Sequence, residues 1–430
     1  MSSDKKKVLI ISYYWPPSGG SGVQRWLKFV KYLPQFDIHP YVFTPRNPSF
    51  ALRDESLLKD VPPEVEVIEF PIWEPYHLFQ KVSKENSSQG SVADPVHGTS
   101  FKQRMGRWIR ANIIIPDPRV FWVKPSSSFL ESFIQEHRIR TIITTGPPHS
   151  IHLIGLRLKK KVPGVQWIAD FRDPWSEWGF LDTLGVGKLA RWIHKTLEAR
   201  VLKKADKVIT ITPFYKRHFE RLGQRKVQLI NNGYDDADFQ SLQIAPTEKF
   251  VIRHVGIVHD LCNPRPFLNA VKNLCIENES FKDVVEVNFT GSVNATFFND
   301  VKSDPLLSQI VTFQPSVPHR ELISLYGQSS VLLLVLYGYR DAEGYMPGKL
   351  YEYIATGLPI IAVGPEGGDA AHLLTEIGAG TMVDGTEERK IQECIAKEYN
   401  QWKLGTNSVS SHAGEKYSRK NLTAELAKLL

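Results

Sequence analysis

Met346-Pro347-Gly348-Lys349-Leu350-Tyr351-Glu352-Tyr353-Ile354-Ala355-Thr356-Gly357-Leu358-Pro359 carries the punctuation of one short helix. Pro347 stands near its start, Gly357 just past its last turn, and Pro359 beyond that. The apolar run Val331 to Leu336 precedes it and Ile360 to Val363 follows it, each the length of a buried strand. Strand, helix, strand is the repeating unit of a parallel sheet. The exposed amino end of the helix, marked by Gly348 and Lys349, offers a phosphate group backbone amides and an ammonium. Glu352 follows one turn later, within reach of a ribose diol joined to that phosphate. These parts together read as a nucleotide site.

Working outward, the same alternation fills the second half, with strand candidates at Phe250 to Val255, Val284 to Thr290, Ile310 to Phe313 and Thr381 to Val383. The first half has its own set: Val8 to Ile11, Tyr41 to Thr44, Val65 to Phe70, Thr141 to Thr145, Trp167 to Asp170, Val208 to Thr212 and Val227 to Ile230. Between the first two, Trp26, Leu27, Phe29, Val30 and Leu33 fall on one buried helix face. Two α/β domains follow, residues 1–245 and 246–430. The polar stretch Gln240 to Lys249, with Pro246, divides them. Ligands of such sheets bind beyond the carboxyl ends of the strands, so two sheets facing each other would form a deep cleft. Ser83 to Ser100, rich in Ser, Gly, Gln and Asn, reads as a mobile surface loop. Glu415 to Leu430 reads as a last amphipathic helix, and periodicity does not say which domain receives it.

The 430 residues are 42% hydrophobic, 11% aromatic and 23% charged, the make-up of a folded protein of two or three domains. The formal charge of +7 is uneven. Residues 1–245 hold 36 Lys and Arg against 24 Asp and Glu, whereas the remainder holds 17 against 22. One half therefore suits an anionic surface or ligand. Cys262, Cys275 and Cys394 show neither disulfide nor zinc spacing and fit a reducing compartment. No apolar run approaches the roughly 20 residues of a membrane span. The run Val8 to Ile11 after Lys5-Lys6-Lys7 is too short for a secretion signal, so a cytoplasmic location is expected.

The first strand runs into Pro16-Pro17-Ser18-Gly19-Gly20-Ser21-Gly22, and a helix follows at once. This is neither a Walker loop nor G-x-G-x-x-G, since Arg25 holds the third glycine position. Its glycines either let the backbone approach an anion or serve tight packing alone.

In order and spacing, four anchors resemble the retaining nucleotide-sugar glycosyltransferases of family 4, with the GT-B fold. They are the Gly19-Gly20 loop, Ala169-Asp170-Phe171-Arg172-Asp173-Pro174-Trp175, Asn231-Asn232-Gly233-Tyr234-Asp235, and the Lys349-to-Pro359 helix followed by Gly364-Pro365. The resemblance covers nearly the whole chain. It implies an α/β fold of two Rossmann-like, doubly wound parallel-sheet domains facing a central cleft, the terminal helix crossing back to the first. It also implies that the second domain binds a UDP- or GDP-linked sugar and the first a glycan or lipid-linked acceptor. Glu352 would bind the ribose, Gly348, Lys349 and Leu350 the diphosphate, with Gly19 and Gly20 approaching from the first domain. The family's second glutamate, eight residues earlier, is here Gly344, with Glu343 one place off. Family cations after the first strand of the second domain are represented by Arg265, unless that residue is an ordinary surface arginine. His149, in Gly146-Pro147-Pro148-His149, together with Arg172 and Asp173, holds the places that in the family touch sugar or acceptor. Hydrogen-bonded structure for His149 and an internal salt bridge for Asp170 to Asp173 are the alternatives.

The activity implied is transfer with retention, in polysaccharide or cell-envelope glycan synthesis, with no cofactor and no obligatory metal. Asp236 to Asp238 has D-x-D spacing but, in the Asn-Gly-Tyr-Asp turn, reads as a capping or hinge feature. Phe101 to Ile115 sets Lys102, Arg104, Arg107 and Arg110 beside Trp108, Ile109 and Ile113 to Ile115, as suits an anionic membrane surface on the inner face of the cell, and Leu184 to Lys207 adds Lys188, Arg191, Lys195, Lys203 and Lys204; solvated helix faces are the alternative for each. A nucleotide-sugar epimerase and a non-catalytic, donor-binding scaffold are the competing readings. Nucleic acid is not an expected partner, because the chain lacks the corresponding motifs.

Overall fold

The computed structural model describes residues 5–50, 52–75, 101–177, 179–336, 342–406 and 411–430. The sequence's proposed Ser83 to Ser100 loop lies outside them. By its contacts the chain forms two units, one of residues 1–231 with 422–430 and one of residues 232–421.

The first unit is built on β1 (Lys6–Ile11), β2 (Ile38–Pro45), β3 (Glu66–Phe70), β4 (Thr141–Gly146), β5 (Gln166–Phe171), β6 (Lys207–Thr210) and β7 (Gln228–Leu229). Their order in the sheet is β3-β2-β1-β4-β5-β6-β7, every pair parallel. The second unit has β8 (Phe250–Val255), β9 (Val285–Thr290), β10 (Val311–Gln314), β11 (Val331–Val335), β12 (Ile360–Val363) and β13 (Gly380–Val383), in the order β10-β9-β8-β11-β12-β13, again all parallel.

The longer helices of the first unit are α1 (Ser21–Tyr32), α2 (Phe101–Asn112), α3 (Val120–Glu136), α4 (Ser150–Lys161), α5 (Lys188–Lys204) and α6 (Pro213–Gly223). Those of the second are α7 (Arg265–Glu277), α8 (Ala295–Ser303), α9 (His319–Gly327), α10 (Gly348–Thr356), α11 (Asp369–Ile377) and α12 (Glu388–Lys403). The last, α13 (Arg419–Ala427), begins in the second unit and ends in the first.

Strands covered on both faces must be apolar on both, which is why these segments read as unbroken aliphatic runs. In β1, Leu9 and Ile11 enter one core cluster while Val8 and Ile10 enter the other, and all four are fully buried. In β11, Val331, Leu333 and Val335 face one core, and Leu332 and Leu334 face the other. Leu422, Leu426 and Leu430, from α13 and the residues after it, complete the cluster around Val8, Ile10 and Trp26 in the first unit. The terminal helix thus returns to the N-terminal core.

Each sheet reverses its direction of winding once, between β1 and β4 in the first unit and between β8 and β11 in the second. Loops diverge at such a point and leave a crevice at the carboxyl ends of the strands. The glycine loop after β1, the His149 turn after β4 and the Gly256 turn after β8 all leave strands that border these points.

Candidate functional site

In the second unit, Gly256 leaves β8 with φ +134°, a conformation that favours glycine. A Cβ there would meet Lys349 Nζ at 3.0 Å. The same ammonium donates to the Val255 carbonyl at 3.0 Å, so the first turn of α10 is tied to the end of β8. Burial outweighs the pull of Cys262 and Glu352 and brings the Lys349 pKa down to about 8. Pro347 precedes α10, and no side chain caps its amino end among the described residues. The space where Gly348 lacks a side chain is open. The helix start therefore presents a positive dipole end and an ammonium to one place, the arrangement that receives an anion. Leu350 is fully buried and its amide donates to the Pro347 carbonyl at 3.1 Å, so its side chain serves the core.

Glu352 lies three residues beyond Lys349 on the same helix side. His319 Nε2 donates to its Oε1 at 3.0 Å and the Tyr326 hydroxyl donates to its Oε2 at 2.9 Å, both from α9. Burial alone would raise the Glu352 pKa, but these two bonds and the His319 charge outweigh it and hold the carboxyl below its usual range. A carboxylate fixed in this way keeps lone pairs for a diol. His254 in β8 is fully buried, with Nδ1 3.0 Å from the Leu333 carbonyl and Nε2 without a partner among the described residues. Burial, then the nearby Lys349 charge, holds it far below the ordinary histidine pKa. His254, His319 and Tyr326 escaped the sequence reading; the only signal was a histidine interrupting the apolar β8 run two residues before Gly256.

Two further positions in this unit are occupied differently. Arg265, the first residue of α7, bonds Asp300 at 2.5 Å and lies 5.9 Å from the Phe297 ring centre. Glu343 is exposed in a short turn, Ala342–Gly344, and Gly344 beside it is buried. The D-x-D stretch is a capping turn: Asp235 accepts the Ala237 amide at 3.2 Å and opens the short helix Asp236–Phe239.

In the first unit, Gly19 packs against Leu52, whose Cγ would lie 2.9 Å from an added Cβ, and its amide donates to the Leu52 carbonyl. Gly20 has little around it but takes φ +86° at the head of α1. Packing thus explains the first glycine and backbone conformation the second. Arg172 is buried and spends its guanidinium on three carbonyls: Nε on Gly146 at 3.1 Å, Nη1 on Gly22 at 2.6 Å and Nη2 on Pro147 at 2.7 Å. It therefore binds the glycine loop to the His149 turn. The buried salt bridge of this region runs from Asp170 to Arg25 of α1, at 3.1 and 3.2 Å, with Trp26 and Thr145 also donating to the carboxylate. That pairing explains why an arginine stands at the third glycine position. Asp173 is half-buried one residue past Arg172.

His149 is buried at the start of α4 and stacks parallel on Trp175, ring centres 5.3 Å apart. Neither ring nitrogen has a partner among the described residues. Burial first, then His152 and Arg172, holds its pKa far below the usual value, so the ring is neutral at physiological pH. It can donate from one nitrogen and accept at the other. Trp175 in turn is locked, its indole donating to His194 at 2.9 Å and its amide to buried Glu198 at 3.0 Å.

The structure thus joins Gly22, Pro147 and Arg172 in one unit and Gly256, Lys349, Glu352, His319 and Tyr326 in the other.

Residues 87–233 match the family model of a glycosyl transferase 4-like domain. No curated protein matches the chain. Among solved structures, a glycosyltransferase from Rickettsia africae is similar at 13% identity and a TM-score of 0.63, over 99% of this chain and 98% of that one. WaaG, a glycosyltransferase of lipopolysaccharide biosynthesis, is similar at 14% and 0.58, over 98% and 99%. A trehalose-6-phosphate structure from E. coli, bound with UDP-2-fluoro glucose, is similar at 10% and 0.62, over 98% of each chain. At these identities the likeness is one of fold, and the fold is the GT-B arrangement of two parallel α/β units. The chain carries a glycosyltransferase-like domain on a glycosyltransferase fold.

Proposed function

We propose that the protein transfers a sugar, with retention, from a UDP- or GDP-linked donor to a glycan or lipid-linked acceptor in polysaccharide or cell-envelope glycan synthesis. One observation carries this reading: the uncapped start of α10, the Lys349 ammonium and the Glu352 carboxylate lie within one helical turn beside the switch point of the second sheet. In this reading, the amide of Gly348 and the charge of Lys349 meet the diphosphate, Leu350 seats that helix turn in the core, and Glu352 meets the ribose. Arg265 adds a cation there if it exchanges Asp300 for phosphate. Bond breaking moves negative charge onto the departing phosphate, so fixed positive groups there favour the transition state over the ground state, without an obligatory metal. In the first unit, neutral His149 and Asp173 are assigned to hydroxyls of sugar or acceptor. Gly20 gives the backbone close approach, Gly19 packs the loop on Leu52, and Arg172 positions both loops. The likeness of these motifs to family 4 supports retention and a cytoplasmic site of action.

Calorimetric titration with UDP, GDP, dTDP and their sugar conjugates tests the reading. Micromolar binding of one nucleotide, lost in Glu352→Ala, is expected. Failure to bind any of them would overturn the donor site, and release of an isomerised sugar nucleotide without acceptor would make the protein an epimerase.

A further inference from the structure

Among the described residues, helices α2 and α5 leave an apolar and basic face uncovered. Along α2, Phe101, Met105 and Trp108 recur at the spacing of one helix side, and they are 77%, 48% and 57% exposed. Ile113, just past the helix, is 62% exposed. Asn112, one turn after Trp108, accepts the Gly187 amide hydrogen at 2.7 Å and donates to the Gly185 carbonyl at 3.5 Å. These bonds fix the end of α2 against the start of α5. There Leu189 and Trp192 are 72% and 64% exposed. A helix in a globular unit ordinarily turns such residues inward.

Cations dominate the charge around them, with the exposed acids Asp182 and Glu177 at the edge. Helix α2 presents Arg104, Arg107 and Arg110 and has no carboxylate in its sequence. Helix α5 holds Lys188, Arg191, Lys195, Arg200, Lys203 and Lys204, and its single acid, Glu198, is fully buried against Trp175 and Ser176. Asp182, between the helices, is already paired with Arg191. Aromatic and aliphatic side chains that project beyond a field of cations suit the boundary between anionic headgroups and acyl chains. A second copy of this chain would set the same cations against each other, which disfavours self-association through this face.

We propose that this face docks the protein on an anionic phospholipid surface, with Phe101, Met105, Trp108, Leu189 and Trp192 entering the interface and the cations of both helices on the headgroups. The proposal needs neither donor nor acceptor and stands apart from the reading of the active site.

The full chain is sedimented with phosphatidylcholine vesicles, plain or containing one third phosphatidylglycerol. Binding is expected only to the anionic vesicles, falling with added salt. The double variant Trp108→Glu/Trp192→Glu should lose about tenfold or more, and each of Arg104→Gln, Lys188→Gln and Lys195→Gln about fivefold. These residues are exposed, so thermal midpoints and nucleotide titrations should match wild type and exclude misfolding. Absence of binding, equal binding to plain vesicles, or binding indifferent to the tryptophan variants would overturn the proposal. So would a concentration-dependent dimer in sedimentation velocity that Trp192→Glu abolishes, which would give the face to a second copy.

Discussion

The Tyr326 hydroxyl donates to Oε2 of Glu352 at 2.9 Å, opposite the His319 bond to Oε1, so one helix holds both oxygens of a carboxylate on another. The bond favours the charged carboxylate. With its folded pKa depressed, Glu352 contributes stability above the unfolded carboxyl pKa, and that contribution is lost as pH falls through the folded value. Tyr326→Phe should cost about 0.5–1.5 kcal/mol at neutral pH. It should also move the acid limb of nucleotide binding to higher pH. Titration calorimetry across the acid range checks this, and an unmoved limb would separate Tyr326 from Glu352.

Lys349 titrates the other way. Its folded pKa of about 8 lies below the unfolded lysine value, so the unfolded chain binds more protons between the two and stability rises with pH through that window. Lys349→Met should flatten that rise and stabilise the protein at neutral pH by about 1–2 kcal/mol, part of the shift being screened at a half-buried site. The same variant should bind inorganic pyrophosphate more weakly. Thermal midpoints against pH, paired with calorimetry, read both effects.

Neutral His149 makes no ion pair. His149→Phe should keep the stack on Trp175 and change stability by about 1 kcal/mol, while turnover falls roughly tenfold to a hundredfold. The histidine resonances in NMR should show no His149 titration near neutral pH. A protonated ring at pH 6 would remove the physical basis of its assigned role.

Asp170 is buried with Arg25. Asp170→Asn leaves that guanidinium without its counter-charge and should cost about 3–5 kcal/mol. Urea unfolding measures the loss, and a cost below about 1 kcal/mol would mean that the guanidinium finds another partner.

Leu426 is fully buried among β1 and α1 side chains. Leu426→Ala should cost the first unit about 2–5 kcal/mol. Hydrogen exchange should show β1 amides loosening while β8 amides keep their protection.

Much of this architecture is legible before the structure. Parallel strands buried on both faces must be aliphatic runs, and the expected runs correspond to the observed strands, with β7 shortened to Gln228–Leu229 at a sheet edge. The α10 motif was also readable, because proline, glycine and cation act locally there. What pairs with what was not. Arg25 meets Asp170 from 145 positions away, and Tyr326 meets Glu352 from 26. Such partners are fixed by sheet order and helix packing, which no local pattern encodes. Surface exposure shows the same limit: within Phe101 to Ile115, Phe101, Met105, Trp108 and Ile113 are exposed, whereas Ile109, Ile114 and Ile115 are half-buried. Periodicity defines a stripe, and only tertiary packing says which stripe is covered.

The return of residues 422–430 to the first unit makes the second unit, in chain terms, an insertion between Asn231 and Leu422. During synthesis the second unit can fold as it emerges, whereas the first waits with a gap in its core until the segment bearing Leu422 and Leu426 is delivered. Cutting the chain at Asn231 would therefore yield an incomplete N-terminal unit, but joining Asn231 to Leu422 through a short linker would give that unit every strand and core leucine it uses.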